Sequence, residues 1–171
     1  MASIVTNPTA WILTLLTVML TLTGCSKPTV IDGEIPVEIS GSTFMLEIVA
    51  DDESRNLGLG GRKSLDPDKG MLFVFPKSEL RKFLMRDCYI DIDIIFLDAT
   101  GRITAMHHMP IEEQKNPEES AYQYDLRLKK YSSRFNAQYA IELIGGTLES
   151  LNLEDGQQIK LDTVYLQSVA Q

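Results

Sequence analysis

The sequence predicts an α+β domain that is mostly β. The expected sheet is small and curled, closed as a barrel or stacked as a sandwich, with seven to eight short strands and two short helices. Three observations predict it. Ile90, Ile92 and Ile94 alternate with Asp91, Asp93 and Ile95, and period two is the strand signal. Short apolar runs recur between turn signals, as in Gly70–Phe75 (GMLFVF) and Ala137–Ile144 (AQYAIELI). Heptads and internal repeats are absent, which leaves a small layered domain as the natural architecture.

In order along the chain, Ile35–Ile39 reads as a first strand, with Pro36 suiting an edge. Ser40-Gly41-Ser42 turns it into a second strand, Thr43–Ala50, so the pair should be a hairpin. Asp51 and Asp52 can cap a short helix through Ser54, Arg55 and Leu57. Gly58, Gly60 and Gly61 end that helix in a permissive loop. Gly70–Phe75 is an apolar strand stopped by Pro76, and Lys77–Lys82 is a charged connector. The central stretch Phe83–Asp98 (FLMRDCYIDIDIIFLD) becomes apolar on both faces toward its end. Ala99-Thr100-Gly101 turns it back into Arg102–Met106. Ile111–Arg134 is a polar excursion, helical in part around Leu126-Arg127-Leu128. Ala137–Ile144 is a strand, Thr147–Leu151 a helical turn with Thr147 as its cap, and Gln158–Leu166 the last strand.

The 171 residues suit one domain behind a leader. Residues 1–24 hold no Asp, Glu, Lys or Arg, and Ala10–Leu22 is an apolar run. As a helix that run spans roughly 20 Å, short of the roughly 30 Å a membrane core demands. It matches a signal-peptide core, and Leu22-Thr23-Gly24-Cys25 after it resembles a bacterial lipobox. The expected division is a lipoprotein signal peptide at 1–24, a tether at 25–33 and a single domain at 34–171. Cys25 would then carry lipid and hold the protein to a membrane of the cell envelope. A plain signal peptide and an uncleaved anchor are the alternatives. With Cys25 lipidated, Cys88 is single; with Cys25 free, the two could pair. A net charge of −8 argues against nucleic acid, because no basic stripe is available to neutralise phosphates.

Several segments in fixed order carry a resemblance. They are Gly58-Leu59-Gly60-Gly61-Arg62, Gly70–Phe75, Phe83–Cys88, Asp91–Asp98, Tyr139–Leu143 and Asp155-Gly156. Together they resemble domain of unknown function 192, a family of bacterial and archaeal proteins, over about Phe44 to Asp162. The resemblance implies a mostly β fold in an often exported protein of uncharacterised activity. Five positions depart from the family pattern: Gly60 stands for Met, Leu84 for Trp, Asp87 for Asn, Cys88 for Thr and Asp91 for Pro.

The polar residues at the matched positions are Arg62, Arg86, Asp87, Asp93 and Glu142. Arg62, Arg86, Asp93 and Glu142 are the candidate ligand-binding set. Arg62 is expected to reach Asp93 or Glu142 as a bidentate pair, forming one polar cluster. Such a cluster serves either as a structural ion-pair network or as a small-molecule site. Asp91 and Asp93 could act together as glycosidase carboxylates do, or form a solvated stripe. His107 and His108 are adjacent and should face opposite ways, so no metal site and no cofactor is expected. Cys88 reads as a small strand residue, with no base beside it to activate a thiol. No nucleophile motif, phosphate loop or dinucleotide fingerprint is present. The expected function is a lipid-anchored envelope module that binds a small ligand or a partner protein. The alternative is an envelope hydrolase using Asp and Glu as acid and base.

Overall fold

The structure, a computed structural model, describes Val30, Ile31 and residues 33–171. The expected signal peptide, Cys25 with its expected lipid, and residues 25–29 and 32 of the expected tether lie outside the described residues. Strands β1 (Glu34–Ile39) and β2 (Ser42–Val49) form the expected hairpin, with Ile35 opposite Leu46 and Val37 opposite Phe44. Helix α1 (Asp52–Leu57) follows, and the Asp51 carboxylate accepts the Ser54 N–H at 2.9 Å as its cap. The chain then enters β3 (Lys69–Phe83), which lies parallel to β2. A parallel pair needs a crossover, and α1 with the loop after it supplies one.

Strand β3 runs on through Lys77–Lys82, the segment that reads as a connector. Its ladder to β6 (Tyr131–Ile144) shifts register between Val74 and Glu79. Pro76 falls inside that irregular stretch, where its missing N–H forfeits no ladder bond. The central stretch is shorter than the sequence suggests: β4 is Ile92–Leu97, Phe83 ends β3, and 84–91 is a loop. All six residues of β4 are buried, as the apolar run implies. The Asp98 carboxylate accepts the N–H groups of Thr100 at 2.7 Å and Arg102 at 3.0 Å, which closes the turn into β5 (Ile103–Met109).

The described residues form six strands in one open sheet, ordered β1-β2-β3-β6-β4-β5. Among the described residues the sheet has six strands rather than the expected seven or eight, and its edges β1 and β5 are not joined into a barrel. The missing strand is Gln158–Leu166. Gln158 makes one isolated bridge to Arg102, and Thr163–Val169 is a helix, α4. Thr163 and Val164 favour a strand, but Asp162 accepts the Tyr165 N–H at 2.9 Å and caps a helix that buries Leu166. Two further short helices bring the total among the described residues to four. Helix α2 (Ala121–Arg127) lies in the polar excursion, opens on a Ser120–Gln123 capping box and buries Tyr124. Helix α3 (Thr147–Leu151) is capped at Gly146 without a side-chain bond. Thr147 is therefore its first residue rather than its cap, and its hydroxyl donates to Ile144 O at 2.6 Å.

Both faces of the sheet are covered. One face presents Leu46, Leu72, Val74, Ile95, Ile141 and Leu143 to Leu151, Ile159 and Leu166 of the C-terminal segment. The other presents Met71, Phe73, Ile94 and Phe96 to Leu59, Met85 and Cys88 from the loops after α1 and β3. Each such side chain contributes about 1.5–3 kcal/mol on burial. This second face carries the site.

Candidate functional site

Strand alternation places residues that pair directly across neighbouring strands on the same side of the sheet. Glu47 is opposite Met71, Met71 opposite Glu142, Glu142 opposite Ile94, and Ile94 opposite His107. These five residues form one row across the second face. Asp93 is opposite Leu143 and His108, so it points to the other face. Asp93 and Glu142 are thus separated by the sheet itself.

The expected cluster of Arg62, Asp93 and Glu142 therefore does not exist as a set of direct pairs. Arg62 binds Glu47 instead, with Nη1 to Oε1 and Nη2 to Oε2 each at 2.7 Å. The hydrogen bonds from that guanidinium hold the Glu47 carboxyl below its usual range. Arg86 makes its own fork to Asp125, with Nε to Oδ1 at 2.8 Å and Nη2 to Oδ2 at 2.6 Å. Asp93 is 1% exposed, so it is not part of a solvated stripe. Its Oδ1 lies 2.7 Å from His108 Nδ1, and its Oδ2 accepts the Leu148 N–H at 2.7 Å. That carboxylate fastens the first turn of α3 to β4 and β5. Asp91 is exposed and accepts the Ile111 N–H at 2.7 Å. The two histidines do face opposite ways, His107 toward Phe96 and Tyr131, His108 toward Asp93.

Among the described residues, Glu142 is left without an ionic partner. It is 5% exposed, and its Oε2 is buried with no hydrogen-bond partner. Burial pushes its carboxyl up to about 8, against the pull of the Leu59 N–H and the charge of Arg62. The loop after α1 lies directly over it. Gly58 has φ +53, and a Cβ there would meet Phe73 Cζ at 3.3 Å and Glu142 Oε2 at 3.6 Å. Gly60 is needed for another reason, because a Cβ there would stand 2.8 Å from Leu57 O. A side chain at this position, where the family pattern has Met, requires the backbone around Leu57 to shift.

Beside Glu142 opens a cleft of about 640 Å³ between the end of α1, the outer half of β3 and the loop 84–88. Its walls include Phe73, Phe75 and Phe83, with Phe83 edge-on to Phe73 at 4.9 Å and to Phe75 at 6.4 Å. Arg55 and Arg81 both stack over Phe75, Arg81 at 4.1 Å. Of the expected site residues, Arg86 and Glu142 line this cleft, while Arg62 and Asp93 do not. Gly60, Leu84 and Cys88, three of the departures from the family pattern, line it as well. The Cys88 thiol is pushed up to about 12, first by burial and then by the neighbouring Glu142, which keeps it protonated. Asp87, another departure, has φ 54, a region that Asn and Asp tolerate, so the exchange preserves the turn. Sequence reasoning misses Phe73, Phe83 and Arg81 as wall residues. The one visible signal is Pro76, which splits β3 into an apolar half and a charged half.

Among the described residues, no group of three or more His, Cys, Asp or Glu side chains could hold a metal ion. No described helix is long and apolar enough to cross a membrane.

No curated protein matches the chain. A solved chain from Sinorhizobium meliloti 1021, described as a "putative transcription regulator", is similar at 26% identity and a TM-score of 0.58. That match covers 73% of this chain and 89% of the other. A protein of unknown function from Novosphingobium aromaticivorans DSM 12444 shares the fold at 21% identity and a TM-score of 0.63, covering 80% of this chain and 94% of its own. The family model described as DUF192, Uncharacterized ACR, matches residues 35–161. That match takes in all six strands but for Glu34 at the start of β1, together with Glu142 at the cleft floor, and the chain belongs to the DUF192 family.

Proposed function

We propose that this protein is a lipid-anchored binding module of the cell envelope whose cleft takes a small ligand. The observation that carries the ligand reading is Glu142 Oε2, buried and unpartnered beside an open cleft. An unsatisfied buried polar atom costs about 1–3 kcal/mol, and a ligand that reaches it recovers that cost. Aromatic walls with a few convergent polar groups are what small-molecule sites use. The anchoring half of the reading rests on Leu22-Thr23-Gly24-Cys25 after the apolar run. Nucleic acid is a poor match for a net charge of −8, so the regulator description of the Sinorhizobium chain is not carried over. A hydrolase using Asp91 and Asp93 as its two carboxylates is also less well supported, since Asp93 is buried and held by His108 and the Leu148 N–H while Asp91 is exposed and caps Ile111.

Thermal-shift screening of the chain and its Glu142→Leu variant against envelope sugars, peptides and small organic acids and bases tests the ligand reading. A cleft ligand raises the Tm of the native chain and leaves the variant unmoved. Equal shifts in both, or none in the native chain, would remove the proposal. In the same preparations, Cys25→Ser should abolish fatty-acid labelling and membrane retention, and persistence of both contradicts the anchor.

A further inference from the structure

The chain holds 24 acidic against 16 basic side chains, yet its cleft reverses that balance. Arg55, Lys77, Arg81, Lys82 and Arg86 line it, against Asp52, Glu79 and Glu142. Most of these charges are already matched. Arg55 pairs with Asp52 at 2.7 Å, Arg81 with Glu79 at 3.5 Å, and Arg86 with Asp125 at 2.6 Å. Lys77 and Lys82 are exposed and form no ion pair among the described residues. The rim thus presents two uncompensated positive charges. The wall below it is apolar, and at the floor waits the unpartnered Glu142 Oε2.

A cationic ligand would suit Glu142 alone and would meet repulsion at the rim. An anionic ligand suits the rim, and it suits the floor too if Glu142 is a protonated acid. Burial keeps it so at neutral pH, its carboxyl standing at about 8, and a protonated Oε2 offers an O–H donor. A buried carboxylic acid of this kind donates to a ligand oxygen rather than accepting from a ligand amine.

Resting on the small-ligand reading above, we propose that the cleft takes a small organic acid with an apolar body and an oxygen acceptor remote from its carboxylate. The carboxylate faces Lys77 and Lys82, the body packs against Phe73 and Phe83, and the remote oxygen accepts a hydrogen bond from Glu142. Such a molecule carries charge at one end and a neutral oxygen at the other.

Isothermal titration of the full chain with three matched probes, whose remote ether oxygen accepts but cannot donate, tests this: para-methoxyphenylacetate, its neutral amide, and para-methoxyphenethylamine. The acid should bind at least about tenfold more tightly than the amide, with the amine weakest, which is a difference of about 1.4 kcal/mol or more. Reversing the rim with Lys77→Glu and Lys82→Glu should erase the preference for the acid. Affinity for the acid should fall as pH rises through 8, where Glu142 ionises. Glu142→Gln should remove that fall, because the amide N–H donates at every pH. Should Glu142→Gln not give a cooperative melt, the rim variants and the native pH profile decide alone. Preferred binding of the amine, tightening as pH rises, would overturn the inference while leaving the small-ligand reading intact. Indifference of the acid to the rim reversal, or no binding of any of the three probes at millimolar concentration, would also overturn it. The wider thermal-shift panel then decides separately whether the cleft takes any ligand.

Discussion

Glu142 sets a pH dependence that can be signed in advance. Its carboxyl is raised in the native state to about 8, against an ordinary 4.5. Below about 4.5 both native and unfolded chains hold the proton, so the full contribution of this group is present there. Between the two values the native state holds a proton that the unfolded state has lost, so stability declines as pH rises through this window. Urea unfolding at a series of pH values should show a loss on the order of a few kcal/mol between about pH 5 and pH 9 from this group. Glu142→Gln should flatten that stretch of the curve, and an unchanged slope in the variant would assign the decline to other groups. The sequence does mark Glu142 as a lone acid within Tyr139–Leu143. It does not reveal that Glu142 is unpartnered, because that depends on Arg62 finding Glu47 on a strand fifteen residues earlier in the chain.

At the scale of elements, the Arg62–Glu47 fork ties the loop after α1 to β2. Both side chains are partly exposed, at 33% and 39%, so screening limits the pair. Arg62→Ala should cost under about 1 kcal/mol, and a double-mutant cycle should give coupling with Glu47→Gln of a few tenths to about 1 kcal/mol. The same cycle with Asp93→Asn should give none. Measurable coupling to Asp93 would mean that the two faces of the sheet communicate through the loop. Alternation along β4 is legible in the sequence, and so is the burial of its end. Whether Asp93 shares a face with Glu142 is not legible, since it follows from the register of β4 on β6. That register aligns Asp93 with Leu143 and Ile94 with Glu142. A shift of one residue would have put both acids on one side.

At the scale of the molecule, composition and periodicity convey an α+β domain rich in strands, and the β1–β2 and β4–β5 hairpins follow from local turns. Strand order is different in kind, because it is decided by contacts between distant segments. Strand β6 is the last strand in the chain, yet it lies between β3 and β4. Removing residues 131–171 should leave two fragments of sheet rather than a smaller domain, with no cooperative melt and concentration-dependent light scattering. A monomeric, cooperatively melting truncated chain would show that β6 does not join the halves. During synthesis the same topology becomes a matter of timing. After β5 has emerged, β1-β2-β3 and β4-β5 coexist as two partial sheets, each with an unpaired inner edge, until Tyr131–Ile144 is made. The nascent protein spends that interval open to a foreign strand on either edge, so its need for chaperone protection should peak there and end when β6 inserts.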